Sequence, residues 1–129
     1  MSMPRSSTVH TPHAPALPWL SQAVAAGDLV LTSGQVGADP DTGHVPENFT
    51  DEVRQALRNI EEVLRAADCT LSDVMRTFCI LTDTAYLAAF NDEYIKWFPD
   101  AKPARTSIIA GLVGSFRFEI EATAIRSNP

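Results

Sequence analysis

The chain has 129 residues, 45% of them hydrophobic and 20% charged, with a formal net charge of −6. That length carries one modest core, so one domain over residues 1–129 is expected, and the composition excludes a disordered or fibrous chain. The negative charge disfavours nucleic acid phosphates and anionic membranes as partners. No run of about 18 apolar residues is present to span a bilayer and no hydrophobic leader core opens the chain, so a cytoplasmic protein is expected.

Residues 1–6 read as a flexible start, followed by a short strand over Ser7–His10. Two prolines between His13 and Gln22, Pro15 and Pro18, exclude a helix and predict a bent loop carrying Trp19 and Leu20. Gln22–Ala26 and Leu29–Ser33 read as strands around a turn at Gly27-Asp28. The second is apolar on both faces and so belongs inside a sheet. Gly34 ends it and permits close backbone approach. Asp39 to Gly43 is a turn.

Phe49–Ala67 is the clearest helix. Val53, Leu57, Ile60 and Leu64 form one apolar stripe. Thr50 is the expected N-cap, with Asp51 and Glu52 at the positive end of the dipole. Arg58–Glu62 and Glu61–Arg65 are expected as i,i+4 pairs on the solvated face. Asp68 stands where a glycine commonly ends a helix. Val74–Thr82 reads as a strand with Phe78 and Ile80 on one face and Met75, Cys79 and Leu81 on the other. Thr84 is expected to cap a second helix running to Phe98, with Leu87, Phe90, Tyr94 and Phe98 buried and Asn91 near that stripe. The two cysteines, Cys69 and Cys79, lack any CxxC or metal spacing and are expected as reduced, packed thiols. His10 and His13 lie in a loop too poorly preorganised for a metal site.

The last third reads as a strand Thr106–Ile109, a turn bracketed by Gly111 and Gly114, and a strand Phe116–Glu121 alternating apolar and charged residues. A symmetric hairpin would place Glu119 beside Ser107-Ile108. Arg105 enters the hairpin, and Glu119 and Glu121 share one strand face about 7 Å apart. A guanidinium fork can take a small carboxylate bidentately, and a nearby carboxylate can orient or deprotonate water. Arg117 falls on the same face and competes for either acid. The order is α+β: two helices cover one face of a mixed sheet of five to six strands. The other face, apolar in several strands, then needs a second copy of the chain to cover it.

Pro103-Ala104-Arg105-Thr106-Ser107 followed by Glu119-Ile120-Glu121-Ala122 resembles the closing signature of the RidA/YjgF family of imine and enamine deaminases. Thr32-Ser33-Gly34-Gln35, Gln55-Ala56-Leu57-Arg58-Asn59 and Phe90-Asn91-Asp92-Glu93-Tyr94 agree with it in order and spacing, so the resemblance runs from about Ala14 to Arg126. It implies a chorismate-mutase-like homotrimer with clefts between subunits. It also implies hydrolysis of 2-imino or 2-enamino acids to 2-keto acids and ammonia, without metal or organic cofactor. Arg105 would clamp the carboxylate and Glu119 would orient the water. Ser33, Asn91 and Ser107, with Trp19 and Leu20, would line the substrate site.

Leu20 stands where relatives tend to carry tyrosine, Trp19 replaces a proline, Ser107 a frequent cysteine, and Leu112-Val113 a Leu-Pro. These departures bear on the substrate rather than the fold, and they point toward larger or aromatic imines, or a specialised aminoacrylate. Two other functions remain open on the sequence: a non-catalytic sensor of small carboxylates, and an RNA-cleaving or translation-inhibiting role. The second is opposed by the lack of a basic patch or a well-placed histidine pair.

Overall fold

The computed structural model describes residues 6–100 and 102–127, so most of the expected flexible start lies outside the described residues. Seven strands form one mixed sheet: β1 Ser7–Val9, β2 Ala23–Ala26, β3 Leu29–Thr32, β4 Gln35–Val36, β5 Val74–Leu81, β6 Ala104–Ile109 and β7 Phe118–Ile125. Their order is β1-β2-β3-β7-β5-β6, with the two-residue β4 pairing β7. The α+β expectation holds, and β3 sits between β2 and β7 as its two apolar faces require.

Helix α1 spans Phe49–Ala66. Its stripe of Val53, Leu57, Ile60 and Leu64 is at most 1% exposed, and each such side chain contributes about 1.5–3 kcal/mol by leaving water. Asn48, not Thr50, is the N-cap, accepting from the Asp51 amide. Asp68 follows the helix in the left-handed region at φ 61°, doing with an acid what glycine does without strain. The expected i,i+4 pairs do not form among the described residues. Arg65 instead reaches Glu62 at 3.0 Å, and Arg54 bridges Asp51 and Glu93. Glu93 is buried against Arg54 and Trp97, and those contacts hold its carboxyl down at about 2, tying α1 to α2.

Helix α2 is shorter than expected, Leu87–Trp97. A 3-10 turn, Thr84–Tyr86, precedes it, and Asp83 rather than Thr84 caps that turn. Phe90, Tyr94 and Phe98 are buried as the stripe predicts, while Leu87, in the first turn, stays partly exposed. In β5 a bulge between Val74 and Arg76 breaks the alternation. Val74 is therefore buried and Met75 exposed, against expectation.

The closing hairpin does not form. β6 pairs parallel to β5 and β7 pairs antiparallel to its other side, so β5 lies between them. Leu81 is in register with both Ile109 and Phe118, and the intervening loop crosses over the end of β5. The Ala110 amide donates to the Leu81 carbonyl and the Thr82 amide to the Arg117 carbonyl, anchoring both ends of that crossing. Ile80 likewise pairs with both Ile108 and Glu119. Glu119 thus stays level with Ile108 but two strand spacings away, roughly 10 Å.

Both helices cover one face. The other presents Leu29, Leu31, Met75, Ile108 and Ile125, all substantially exposed.

Candidate active site

Arg105 lies on the edge strand β6 and pairs with Thr77, whose hydroxyl bonds the Tyr94 hydroxyl at 2.8 Å. That register turns Arg105 toward α2. Its guanidinium carbon sits 4.8 Å from the Phe90 ring centre and 4.9 Å from that of Tyr94, and Nη2 donates to Asn91 Oδ1 at 2.7 Å. The two rings are core residues, so the cation rests on a fixed aromatic floor. Asn91 engages one N–H of five, leaving donors of the fork for a ligand. Ser107, two residues along the same face, carries the one buried side-chain polar atom without a partner among the described residues. Beside it in register is Cys79, buried and free, its thiol pushed up to about 12 by burial.

Glu119 is in register with Ile80 and Val36. Thr77 and Ile80 are an odd number of residues apart on β5, so Arg105 and Glu119 project from opposite faces of the sheet. Arg105 faces the helices; Glu119 faces the uncovered side. A Cβ added at Gly34 would lie 2.7 Å from Glu119 Oε2, so the carboxylate rests directly on the glycine backbone that ends β3. Burial, with the Glu121 charge second, raises the Glu119 carboxyl above the ordinary carboxylate range. Glu121 is exposed and lines a separate cavity of about 340 Å³ on the open face with Leu31, Arg76 and Phe78.

Ser33 stands beside Gly34. Its hydroxyl donates to the Ser21 carbonyl at 2.6 Å and its amide to the Gln22 carbonyl at 2.8 Å. The loop before β2 therefore hangs on the end of β3, next to Glu119. Trp19 and Leu20 extend from that loop, Trp19 77% exposed and Leu20 38%. So Trp19, Leu20, Ser33 and Glu119 form one group, and Asn91, Arg105 and Ser107 another, on the far side of the same sheet.

Two residues that position these groups escaped the sequence reading. Gln22 is 1% exposed; its amide donates to the Thr11, Ala14 and Pro15 carbonyls and accepts from the Thr11 amide, pinning the proline loop. A lone glutamine at a strand start gave no sign of this. Glu52 is fully buried and binds Arg117, with Nε–Oε1 and amide–Oε2 distances both 2.7 Å. Arg117 also donates to the Pro46 and Glu47 carbonyls. It is thus committed to α1 and does not compete for Glu119 or Glu121, correcting the expectation.

Fold and site together define a small α+β protein with a stacked, carboxylate-sized cation on one sheet face and a perturbed acid on the other. The chain belongs to the Endoribonuclease L-PSP family, the RidA/YjgF family, whose model matches residues 11–126. It is 38% identical over 125 residues to a RutC family protein of Haemophilus influenzae, covering 92% of this chain and 95% of that one. It is 39% identical over 108 residues to the mouse 2-iminobutanoate/2-iminopropanoate deaminase, covering 82% of this chain and 80% of that one. Among solved structures it matches E. coli TdcF with bound serine at a TM-score of 0.89 and 31% identity, over 94% of this chain and 99% of that one. No helix of the described residues is long and apolar enough to cross a membrane.

Proposed function

We propose that the protein is a cytoplasmic, cofactor-independent homotrimer that hydrolyses 2-imino and 2-enamino acids to 2-keto acids and ammonia. One observation carries this reading: the anion-binding fork and the perturbed acid stand on opposite faces of one sheet. A second copy seated on the uncovered face brings the Glu119 of one subunit to the Arg105 of the next. The same association buries Leu29, Leu31, Met75, Ile108 and Ile125, whose exposure is otherwise unexplained. The deaminase named among the relatives supports the chemistry.

In the proposed cleft Arg105 holds the substrate carboxylate with the donors that Asn91 leaves free. Glu119 takes a proton from water as its oxygen attacks the imine carbon. The C=N electron pair moves to nitrogen, giving a tetrahedral carbinolamine. The proton held by Glu119 passes to that nitrogen, Glu119 then relays the carbinolamine hydroxyl proton to the same nitrogen, and the C–N bond breaks, so ammonia leaves as the carbonyl forms. An enamine is first protonated at its β-carbon to enter the same path. A carboxyl raised by burial is a stronger base toward water than an ordinary glutamate, and its titration lies nearer the pH at which it must both hold a proton and hand it on. Ser107 has a free hydroxyl for the substrate, Ser33 and Asn91 hold the cleft floor and wall, and Trp19 and Leu20 cover its mouth.

An amino-acid oxidase supplies imines in situ, and semicarbazide traps what escapes hydrolysis. Trapped product is expected to fall as the protein is added. Arg105→Ala and Glu119→Gln are each inactive, and mixing them after joint refolding restores activity, up to about a quarter of wild type for random trimers. No recovery on mixing would remove the shared cleft. Tight 2-keto acid binding with undiminished trapping would replace the deaminase by a sensor.

The raised Glu119 carboxyl also predicts a pH profile. The proposed base must be ionised, so kcat/KM rises with pH through an apparent value above the ordinary 4.5. Glu121→Gln removes the neighbouring charge and shifts that limb to lower pH. A limb that does not move in the variant contradicts the coupling.

A further inference from the structure

Glu119 takes its place from two strands, and one residue of α1 holds both. Two residues before it in the chain stands Arg117, whose amide and Nε each donate to the Glu52 carboxylate at 2.7 Å. Beside Glu119 in register is Val36 of β4. Gly37, the next residue, is buried against Glu52 so closely that a Cβ there would meet Glu52 Cγ at 2.7 Å and overlap the Glu52 carbonyl oxygen. Asn59, two turns further along α1, secures the same stretch by donating to the Val36 and Ala38 carbonyls at 2.9 and 2.8 Å. We propose that Glu52 is a positioning residue for the reaction: it fixes β4 and β7 against α1 and so holds the Glu119 carboxylate in the direction from which it deprotonates water. This role rests on the deaminase reading above and adds to it a residue on the other side of the sheet.

A fully buried carboxylate is a costly way to fill space between a helix and a sheet. An apolar side chain of similar volume packs there without the cost of desolvating a charge, so cohesion alone does not call for Glu52. What the carboxylate adds is direction: two oxygens meet two donors of one residue, and a single arrangement satisfies both. Those donors fix the entry to β7, where a slip of one residue turns Glu119 to the other face. Glu119 depends on such a brace. Its carboxylate rests on Gly34, which has no side chain to hold it. Burial and the Glu121 charge act on its carboxyl, and no side-chain hydrogen bond holds it among the described residues. The other charged groups on that face are Glu121 of its own strand and Arg76 of β5; β3, β4 and β6 bring none to it.

The test measures kcat/KM against pH with imines made in situ, together with pyruvate binding and a thermal melt, for wild type, Glu52→Asp and Glu52→Gln. Aspartate keeps the charge and shortens the reach by one methylene. Glutamine keeps the reach but accepts only one of the two bonds. Both are expected to lower kcat/KM by about tenfold, the scale of a slightly misplaced reacting group. Both also move the rising limb of the profile to lower pH, because a Glu119 carboxyl that leaves its place on Gly34 gains water. The Kd for pyruvate stays within about twofold, since Arg105 stands on β6 and faces the helices. Arg117→Lys keeps the charge pair with a less directional donor, perturbs the fold least of the three, and moves the limb the same way by a smaller amount. A merely structural loss lowers the rate equally at every pH, so an unmoved limb in a folded variant, Arg117→Lys included, overturns the proposal. A loss in Glu52→Gln with none in Glu52→Asp assigns the effect to charge and overturns it too. Wild-type protein that leaves trapped imine undiminished removes instead the deaminase reading on which the positioning role rests.

Discussion

Exchanging Arg105 for lysine lowers kcat/KM on 2-imino acids by about 10³-fold while the fold stays intact. Lysine keeps the charge but loses three things. The planar fork that can meet both oxygens of a carboxylate becomes a point charge. The flat stacking on Phe90 and Tyr94, at 4.8 and 4.9 Å, disappears. The bond to Asn91 Oδ1, which fixes the direction in which the fork opens, is lost with it. Two charge-assisted bonds at about 2 kcal/mol each correspond to roughly three decades of rate when transition-state binding carries them. Arg105 is exposed on an edge strand, so the melting temperature should move by no more than about 2 °C. Steady-state rates and a thermal melt of the same preparation check both halves. A kcat/KM within about threefold of wild type sinks the clamp, and with it the cleft built on Arg105.

What could be read in the sequence follows which features are local. The α1 stripe was legible because a period of 3.6 over five turns is a property of the segment itself, and the apolar side chains it predicts are those at most 1% exposed. The caps were each misplaced by one or two residues, since Thr50 and Asn48, or Thr84 and Asp83, satisfy the same chemistry from neighbouring positions. The β6–β7 pairing failed for a deeper reason. Two short strands flanking glycines read as a hairpin, and nothing within them shows that β5, more than 20 residues upstream of β6, inserts between them. β5 carries apolar residues on both faces, which fits a central strand but does not name its neighbours.

The same error hid the arrangement of the site. In a hairpin Arg105 and Glu119 belong to one local surface; the observed register sends them to opposite faces of the sheet. Motifs single out both residues as candidates whatever the pairing, because the pattern of residue types survives any mistake in it. Ser33 and Asn91 each have a hydrogen-bond partner in the fold, the Ser21 carbonyl and the Arg105 guanidinium. Arg117 was misread because alternation was carried one residue past the start of β7, where the chain is still crossing from the loop.

Arg117→Ala is expected to be the most damaging single substitution for stability, at about 3–5 kcal/mol. Glu52 is fully buried, and the Arg117 side chain is its only charged partner among the described salt bridges. Truncating Arg117 leaves a desolvated carboxylate with one backbone amide, and it frees the Pro46 and Glu47 carbonyls that the same guanidinium holds. The guanidinium also lies 5.7 Å from the Phe49 ring centre and 5.8 Å from that of Tyr86, so its loss uncovers the stacked pair joining α1 to the turn before α2. For a domain of this size the loss corresponds to a fall in melting temperature of roughly 10–15 °C. Adding Glu52→Gln to Arg117→Ala should recover part of it, because the largest component of the penalty is the unpaired charge and not the missing contact. Urea unfolding of the wild type, both single variants and the double variant at one protein concentration measures that coupling. An Arg117→Ala cost below about 1 kcal/mol, or a double variant no more stable than Arg117→Ala alone, shows that the ion pair is not what fastens β7, and Glu119 at its start, to the first helix.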